Sequence, residues 1–459
     1  MRNQRFLALA LIIFINIVAV LYVIMNLYSL KVTPLMWVPT DFQNISFSFV
    51  DIGKQPSMIP LAAKPTNSSN RKGSLNNEDH LSELTLHRLR RLLNCKDKEF
   101  LPRSMQRGEF IVLENFVRAE HGPIQCHESV TYTTNSDYRY LDNLLEVVKR
   151  WPHPVSVSVY APGTDFQATL DSIRYLRDCA GDDRIKQYVT FHIFFSPKHM
   201  PSQIPSSEQF LQSVYVCPYL PPYSNITTTF KKKLGLLYPV NVARNIARDA
   251  TLTHFMLVVD IELYPSINIV PRFLNMIARN AVPLNTSKNP RVFPLTPFEV
   301  DVSVKAPLTK TQLLELLAQD KAQVFHKFVC KNCHKTPKAK QWIKTKDTNS
   351  MDVFTVGKRY DEFKQWEPMY IGTNLEPYYD ERLSWDGKMD RILQGYILCL
   401  KNYDFMILNN AFLVHKPGIN KNIKEHERNK IVDRQYNYIF KAIGPELTKL
   451  YGSRPGCKI

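Results

Sequence analysis

The run HFMLVVDIELYPS, residues 254–266, decides how this chain is read. No charged residue stands between His254 and Asp260, so the stretch reads as a strand buried on both faces. Such a strand delivers Asp260 and Glu262 to its carboxyl end. Residues i and i+2 of an extended chain share a face, so both carboxylates can point one way. Two hard oxygen ligands on one face suit Mn²⁺ or Mg²⁺, and such an ion bridges naturally to a diphosphate. A D-x-E tripeptide alone is also an ordinary solvated strand end. The buried strand before it, and the pattern around it, favour the metal reading.

Strand and helix signals alternate upstream of this run. Phe110–Phe116, Ser129–Thr133, Val155–Tyr160 and Tyr188–Phe195 have strand character, as does His254–Asp260. Tyr140–Trp151, Gln167–Cys179 and Val240–Asp249 have helical spacing. This alternation predicts an α/β fold with a mainly parallel sheet, which binds ligand beyond the carboxyl ends of its strands. The second half is less regular. It has a Leu-rich helix near Thr311–Gln323, a Lys-rich loop to Lys346 and a helix near Arg391–Leu400. A strand pair across Phe405–His415 and a basic helical segment from Lys421 to Tyr451 follow.

Three further stretches carry candidate chemistry. In NVARNIARDA, Arg244 and Arg248 are spaced i, i+4, and Asn241 and Asn245 form a neighbouring strip. Guanidinium forks match phosphate and carboxylate, so these four, together with Asp260 toward the ribose, are candidate donor-binding residues, although the same spacing suits a plain exposed face. The run WEPMYIGTNLEPYYDERLSWDGKMDR gathers aromatics with Glu367, Glu376, Asp380, Glu381 and Asp386. Aromatic faces stack on sugar rings, and a carboxylate can take a proton from an acceptor hydroxyl. Asp380 is the first choice for that base, followed by Glu381 and Glu367. His415 ends the apolar run NNAFLVH and is a candidate third metal ligand after Asp260 and Glu262. Cys330-x-x-Cys333-His334 lacks a second cysteine pair, so it reads as a disulfide site rather than zinc.

The N-terminus defines where this chemistry would take place. Residues 6–30 carry no charge, and as a helix they would span about 37 Å, enough for a bilayer core of ~30 Å. The run is too long for a cleaved signal peptide and has no small-x-small exit. Arg2 and Arg5 precede it, which predicts an inside N-terminus and a lumenal remainder. The expected layout is a cytoplasmic tail at 1–5, a signal anchor at 6–30, a stem at 31–107 and a folded domain at 108–459. The leucines from Leu81 to Leu93 could form a stem helix or the domain's first helix. All eight cysteines and the sequons at Asn44, Asn67, Asn225 and Asn285 lie beyond the anchor, as a disulfide-bonded, glycosylated lumenal chain requires. The sequence does not choose among cysteine pairings.

The chain has 459 residues, and 59 basic against 42 acidic side chains give a net charge of +17. With 44% hydrophobic residues it can bury a core, which excludes global disorder. A mean hydropathy of −0.25 excludes a polytopic membrane protein. A lumenal chain does not meet nucleic acid, so the basic excess points to anionic substrates or to a solvated surface.

Taken together, these segments resemble glycosyltransferase family 49. The resemblance rests on N-x-x-R-N-x-A-R at Asn241–Arg248, the strand bearing Asp260 and Glu262, and Pro265–Ser266. It also rests on Trp366-Glu367-Pro368, the block Tyr379–Arg382, NAFLVHK at Asn410–Lys416, NK-x-x-x-RQ at Asn429–Gln435, and Cys457. It covers roughly residues 108–459. The resemblance implies a GT-A-type, Rossmann-like domain in the Golgi, UDP-glucuronate as donor and Mn²⁺ (or Mg²⁺) as cofactor. It further implies a xylose-terminated acceptor on O-mannosyl glycans of the dystroglycan type, with other Golgi transferases as partners. Asp260 and Glu262 take the place of the family's DxD, and His415 that of its metal-side histidine. The chain departs from the family in having Glu at 262. That departure leaves two other readings open: a same-fold transferase with another UDP-sugar, or a non-catalytic lumenal module that binds glycan or a partner.

Overall fold

The structure, a computed structural model, describes residues 81–224, 228–419 and 426–459, with side chains in the last segment from 429 onward. The tail at 1–5, the apolar run 6–30, the stem up to residue 80 and the sequons Asn44, Asn67 and Asn225 lie outside the described residues. Among the described residues no helix is long and apolar enough to cross a membrane.

Among the described residues the first element is a helix at Glu83–Leu93, capped by Ser82, whose hydroxyl accepts from the Thr85 amide at 3.2 Å. Five strands follow: β1 (Arg103–Arg107), β2 (Phe110–Val117), β3 (Val130–Ser136), β4 (Val155–Tyr160) and β5 (Val189–Phe195). Next come β6 (Phe255–Val258), β7 (Leu263–Pro265), β8 (Arg291–Pro294), β9 (Thr296–Val300) and β10 (Ala322–Val324). The last are β11 (Val353–Gly357), β12 (Tyr370–Gly372), β13 (Asp404–Leu408) and β14 (Phe412–His415). Ten form one sheet in the order β1-β2-β5-β4-β3-β6-β12-β8-β13-β11, and four form a second in the order β10-β9-β14-β7.

Parallel pairing joins β5, β4, β3 and β6, and again β8 and β13. The pairs β1–β2, β2–β5, β6–β12, β12–β8 and β13–β11 are antiparallel. The mainly parallel sheet expected from the sequence is therefore a mixed sheet with a parallel centre. The βαβ crossovers of the first half generate that centre, and hairpin-like returns add the antiparallel flanks.

β4 shows how sequence sets the layers. Val155, Val157 and Val159 join the main apolar core. Ser156 and Ser158 alternate with them and are equally buried, because their hydroxyls donate to the Ala247 and Ala243 carbonyls at 2.8 and 2.7 Å. Each hydroxyl thus finds a partner, and the helix Val240–Asp249 can lie close against the sheet. Placing that helix is the fold's main contribution to the site.

Three other expectations change. Residues 81–107 belong to the folded unit and not to a stem. Leu89 is fully buried in the core, Thr85 Oγ1 donates to Asn275 of the helix Ile269–Arg279 at 3.1 Å, and Cys95 is bonded to Cys126. The Leu-rich helix runs from Lys310 to Ala318 and stops where Asp320 turns left-handed, at φ 54°. Finally, β13 and β14 do not pair with each other, because the chain crosses from the large sheet to the small one between them. The eight cysteines form Cys95–Cys126, Cys179–Cys217, Cys330–Cys333 and Cys399–Cys457. The sequon residue Asn285 is exposed on a loop.

Candidate active site

β6 is buried at every position and ends at Val258, where it lies between β3 and β12. The two carboxylates beyond it are not on a continuing strand. Residues 260–263 form a turn, in which the Leu263 amide donates to the Asp260 carbonyl at 2.9 Å. The Tyr132 hydroxyl holds this turn by donating to the Asp260 and Leu263 carbonyls at 3.2 and 2.9 Å. The same-face argument from i, i+2 spacing thus gives way to a turn that sends the carboxylates to different partners.

Asp260 is partly exposed, with its side chain 40% accessible, and it binds two buried arginines. Its Oδ1 accepts from Arg244 Nη2 at 2.8 Å and from Arg391 Nη2 at 2.7 Å. Burial would raise its pKa, but the two guanidiniums outweigh burial and hold it well below the ordinary carboxylate range. Arg244 Nη1 also bonds Asp390, and Arg391 Nη1 donates to the Val258 carbonyl at 3.1 Å. Glu262 faces the second sheet instead. The β7–β14 ladder sets His415 opposite Leu263, which brings His415 Nε2 to 3.9 Å from Glu262 Oε2. The ring is oriented by Nδ1, which lies 2.9 Å from the Lys416 carbonyl, and by stacking on Phe325 at 5.2 Å.

Glu262 and His415 therefore offer one oxygen and one nitrogen at a spacing that a single ion can bridge. Among the described residues no group of three or more His, Cys, Asp or Glu is close enough to hold a metal. The expected triad is thus a pair, with Asp260 on the same turn binding two arginines through Oδ1. A pair still fits Mn²⁺ or Mg²⁺, which complete their shells with water and substrate phosphate.

The Asn241–Arg248 stripe turns out to be a brace. All four side chains are at most 2% exposed. Asn241 donates to the Asp380 and Asp390 carbonyls, Asn245 to the Tyr379 carbonyl and Glu381 Oε1, and Arg248 to the Pro377 and Glu376 carbonyls, all at 2.8–3.0 Å. Tyr379 lies among the guanidiniums of Arg244, Arg248 and Arg391, 5.5–5.9 Å from its ring centre. The expectation that these four contact the donor is corrected: Asn241, Asn245 and Arg248 fasten residues 376–391 onto the helix, and Arg244 holds Asp390 and Asp260. The i, i+4 spacing was real, but the face it marks meets protein.

The three candidate bases separate clearly. Both oxygens of Asp380 are held by Arg382, at 2.9 and 2.7 Å, and Arg382 also reaches Glu446. Glu381 accepts from Arg107 at 2.6 Å as well as from Asn245. Glu367 differs. Burial pushes its carboxyl up to about 8, with Asp390 adding to the effect and Arg391, Arg244 and Arg359 opposing it. It shares Arg244 and Arg391 with Asp260 as electrostatic neighbours, and so belongs to the same centre.

Sequence reasoning missed Asp390 and Arg391, which follow directly on the acidic stretch but carry no spacing signal of their own. It also gave His326 and His334 no role in the site. Their rings lie 5.2 Å apart and both pack against Phe325. Burial keeps them neutral, at about 4 and about 3.

The family described as "Glycosyl-transferase for dystroglycan" matches residues 129–452. The chain belongs to glycosyltransferase family 49. Its relatives include beta-1,4-glucuronyltransferase 1 of Danio rerio, 26% identical over 364 residues, which cover 76% of this chain and 81% of the relative. The Homo sapiens protein of that name is 26% identical over 351 residues, covering 74% and 80%. Xylosyl- and glucuronyltransferase LARGE1 of Homo sapiens is 21% identical over 384 residues, which cover 82% of this chain and 42% of LARGE1. The family 49 chain is thus a glycosyltransferase, with a nucleotide-sugar donor and a glycan acceptor as its ligands.

Proposed function

We propose that this family 49 enzyme transfers glucuronic acid from UDP-glucuronate to a xylose-terminated glycan of the O-mannosyl, dystroglycan type, with inversion. The observation that carries the reading is the Glu262–His415 pair, whose Glu262 lies on the same turn after β6 as Asp260 with its two arginines. Relatives named for glucuronyl transfer support the donor. Glu262 and His415 would hold Mn²⁺ or Mg²⁺, which when bound supplies positive charge to the leaving diphosphate. Arg244 and Arg391 keep Asp260 ionised, so the centre keeps a fixed negative charge facing its cations.

Glu367 is the general base in this reading, in place of Asp380, whose two oxygens are held by Arg382, or Glu381, whose Oε1 is held by Arg107 and Asn245. It takes the proton of the acceptor hydroxyl. The hydroxyl oxygen then bonds the anomeric carbon as the bond from that carbon to the phosphate oxygen breaks, and UDP leaves. A base whose pKa lies near the working pH is suited to this transfer. The proposal includes a single-pass type II chain in the Golgi membrane, anchored by residues 6–30, with a lumenal catalytic domain. Other Golgi transferases would be its partners there.

UDP release by the full-length chain tests the function. A panel of UDP-sugars is offered with a β-xyloside acceptor, with Mn²⁺ or with EDTA. Metal-dependent, acceptor-stimulated release from UDP-glucuronate is the expected result. Release from another donor would overturn the proposed sugar, and silence from folded protein across the panel would overturn catalysis at this site.

A further inference from the structure

The segment between the brace and the site contains a turn whose backbone is out of keeping with its sequence. Lys388 has φ 59° and ψ 177°, a region that is essentially reserved for glycine, and Met389 follows at φ 54°. Strain of this kind survives only where the surroundings over-determine it. Here they do. Gln435 of the C-terminal helix His426–Tyr438 donates to the Lys388 carbonyl at 2.6 Å and the Ser384 carbonyl at 3.0 Å, and accepts from the Ser384 amide at 2.9 Å. The Lys388 amide donates to the Trp385 carbonyl at 3.2 Å. Gly387 lies against the Gln435 amide so closely that a Cβ there would come within 2.2–2.6 Å of it. A glycine is therefore required at 387 for contact, while the position that needs glycine for conformation holds a lysine.

The turn places that lysine two residues before Asp390 and three before Arg391, the residues that bind Arg244 and Asp260. The side chain is exposed, and among the described residues it makes no ion pair. Arg244 and Arg391, by contrast, are both used within the protein.

We propose that Lys388 is a donor-recognition residue, held by the Gly387–Met389 turn that leads into Asp390 and Arg391, to pair with an anionic group of the nucleotide sugar. That group is the diphosphate or the sugar carboxylate, either of which an ammonium can bind. The inference rests on nucleotide-sugar transfer at this site.

Substitution with glycine separates this role from a structural one, because it relaxes the turn while removing the charge. The full-length chain is compared with Lys388→Gly, Lys388→Met and Lys388→Arg for melting temperature, donor KM, and the affinities of UDP and UDP-glucuronate. The expected result is that Lys388→Gly melts about 2 °C or more higher, yet binds donor about tenfold more weakly. Lys388→Met shares the weaker binding and Lys388→Arg largely restores it. A loss that extends to UDP assigns the diphosphate, and a loss confined to UDP-glucuronate assigns the carboxylate. Unchanged donor KM and UDP affinity in both Lys388→Gly and Lys388→Met would overturn the proposal. If a different UDP-sugar proves to be the donor, the UDP measurement still reads Lys388, so the two failures are distinguishable.

Discussion

Replacing Glu367 with glutamine should make the protein more stable and less active at the same time. The carboxyl is pushed from 4.5 to about 8 by burial and by Asp390. At pH 7 it is therefore mostly protonated in the folded chain and ionised in the unfolded one. A folded-state pKa raised in this way gives stability that is fully present below the unfolded value and is lost as pH rises through the folded value. By pH 7 the loss relative to pH 4 is about 3 kcal/mol, taking 1.36 kcal/mol per unit over the interval from 4.5 to 7. Glutamine is close in shape to the protonated acid and escapes that loss. The variant should melt higher at pH 7, by about 2–4 °C for each kcal/mol recovered, and the gap should close as pH falls toward 4.5. Turnover, measured as acceptor-stimulated UDP release, should fall by a factor of about 10² to 10⁴, the usual worth of a positioned base. Wild-type turnover should rise with pH up to about 8 for the same reason. A stability gap that does not change between pH 7 and pH 5 would refute the electrostatic argument. Full turnover in the glutamine variant would refute the assignment of the base.

Other perturbations follow from the same geometry. His415→Ala removes the imidazole opposite Glu262 and should cut turnover at least about a hundredfold while lowering apparent Mn²⁺ affinity, read as a shifted metal-activation curve. The melting temperature should move little, because the ring is partly exposed. Arg244→Met leaves Asp260 and Asp390 without their shared cation and should cost about 3–5 kcal/mol of stability, read as a lower midpoint in urea. Gly387→Ala drives a Cβ into the Gln435 amide and should destabilise the protein by about 1–3 kcal/mol in the same assay. Because Asp260 is held low by two arginines, its contribution to stability is present above about pH 4 and should disappear as pH falls below that value. A pH series of the urea midpoint, in which Asp260→Asn lacks that acid limb, checks this.

Much of the architecture was legible in local pattern. Val155–Tyr160 and Val240–Asp249 have the bounds their residue spacing indicated, and the uncharged run before Asp260 is a buried strand that leads into the site. These features depend on the periods of strand and helix, which a chain carries wherever it folds. The family motifs were legible as well, because they are strings of residues. What the Asn241–Arg248 stripe would touch was not legible. Helical spacing says which side chains share a face, but not whether that face meets water, ligand or another segment of the chain. Here it meets residues 376–391, and four polar side chains become a brace.

The roles of the carboxylates were decided in the same way. Asp380, Glu381 and Glu367 are alike in type: Asp380 is held by Arg382 two residues on, whereas Arg107 and Asp390 reach Glu381 and Glu367 only through the fold. Glu262 gains His415 only because β7 and β14 pair in the second sheet. The sequence by itself determined the elements, their order and the family. Only the tertiary structure decided which charges are spent within the protein and which remain for a ligand. The physical reason is that an ionisable group's behaviour is set by the burial and the neighbours it acquires on folding, and those neighbours are distant in the chain.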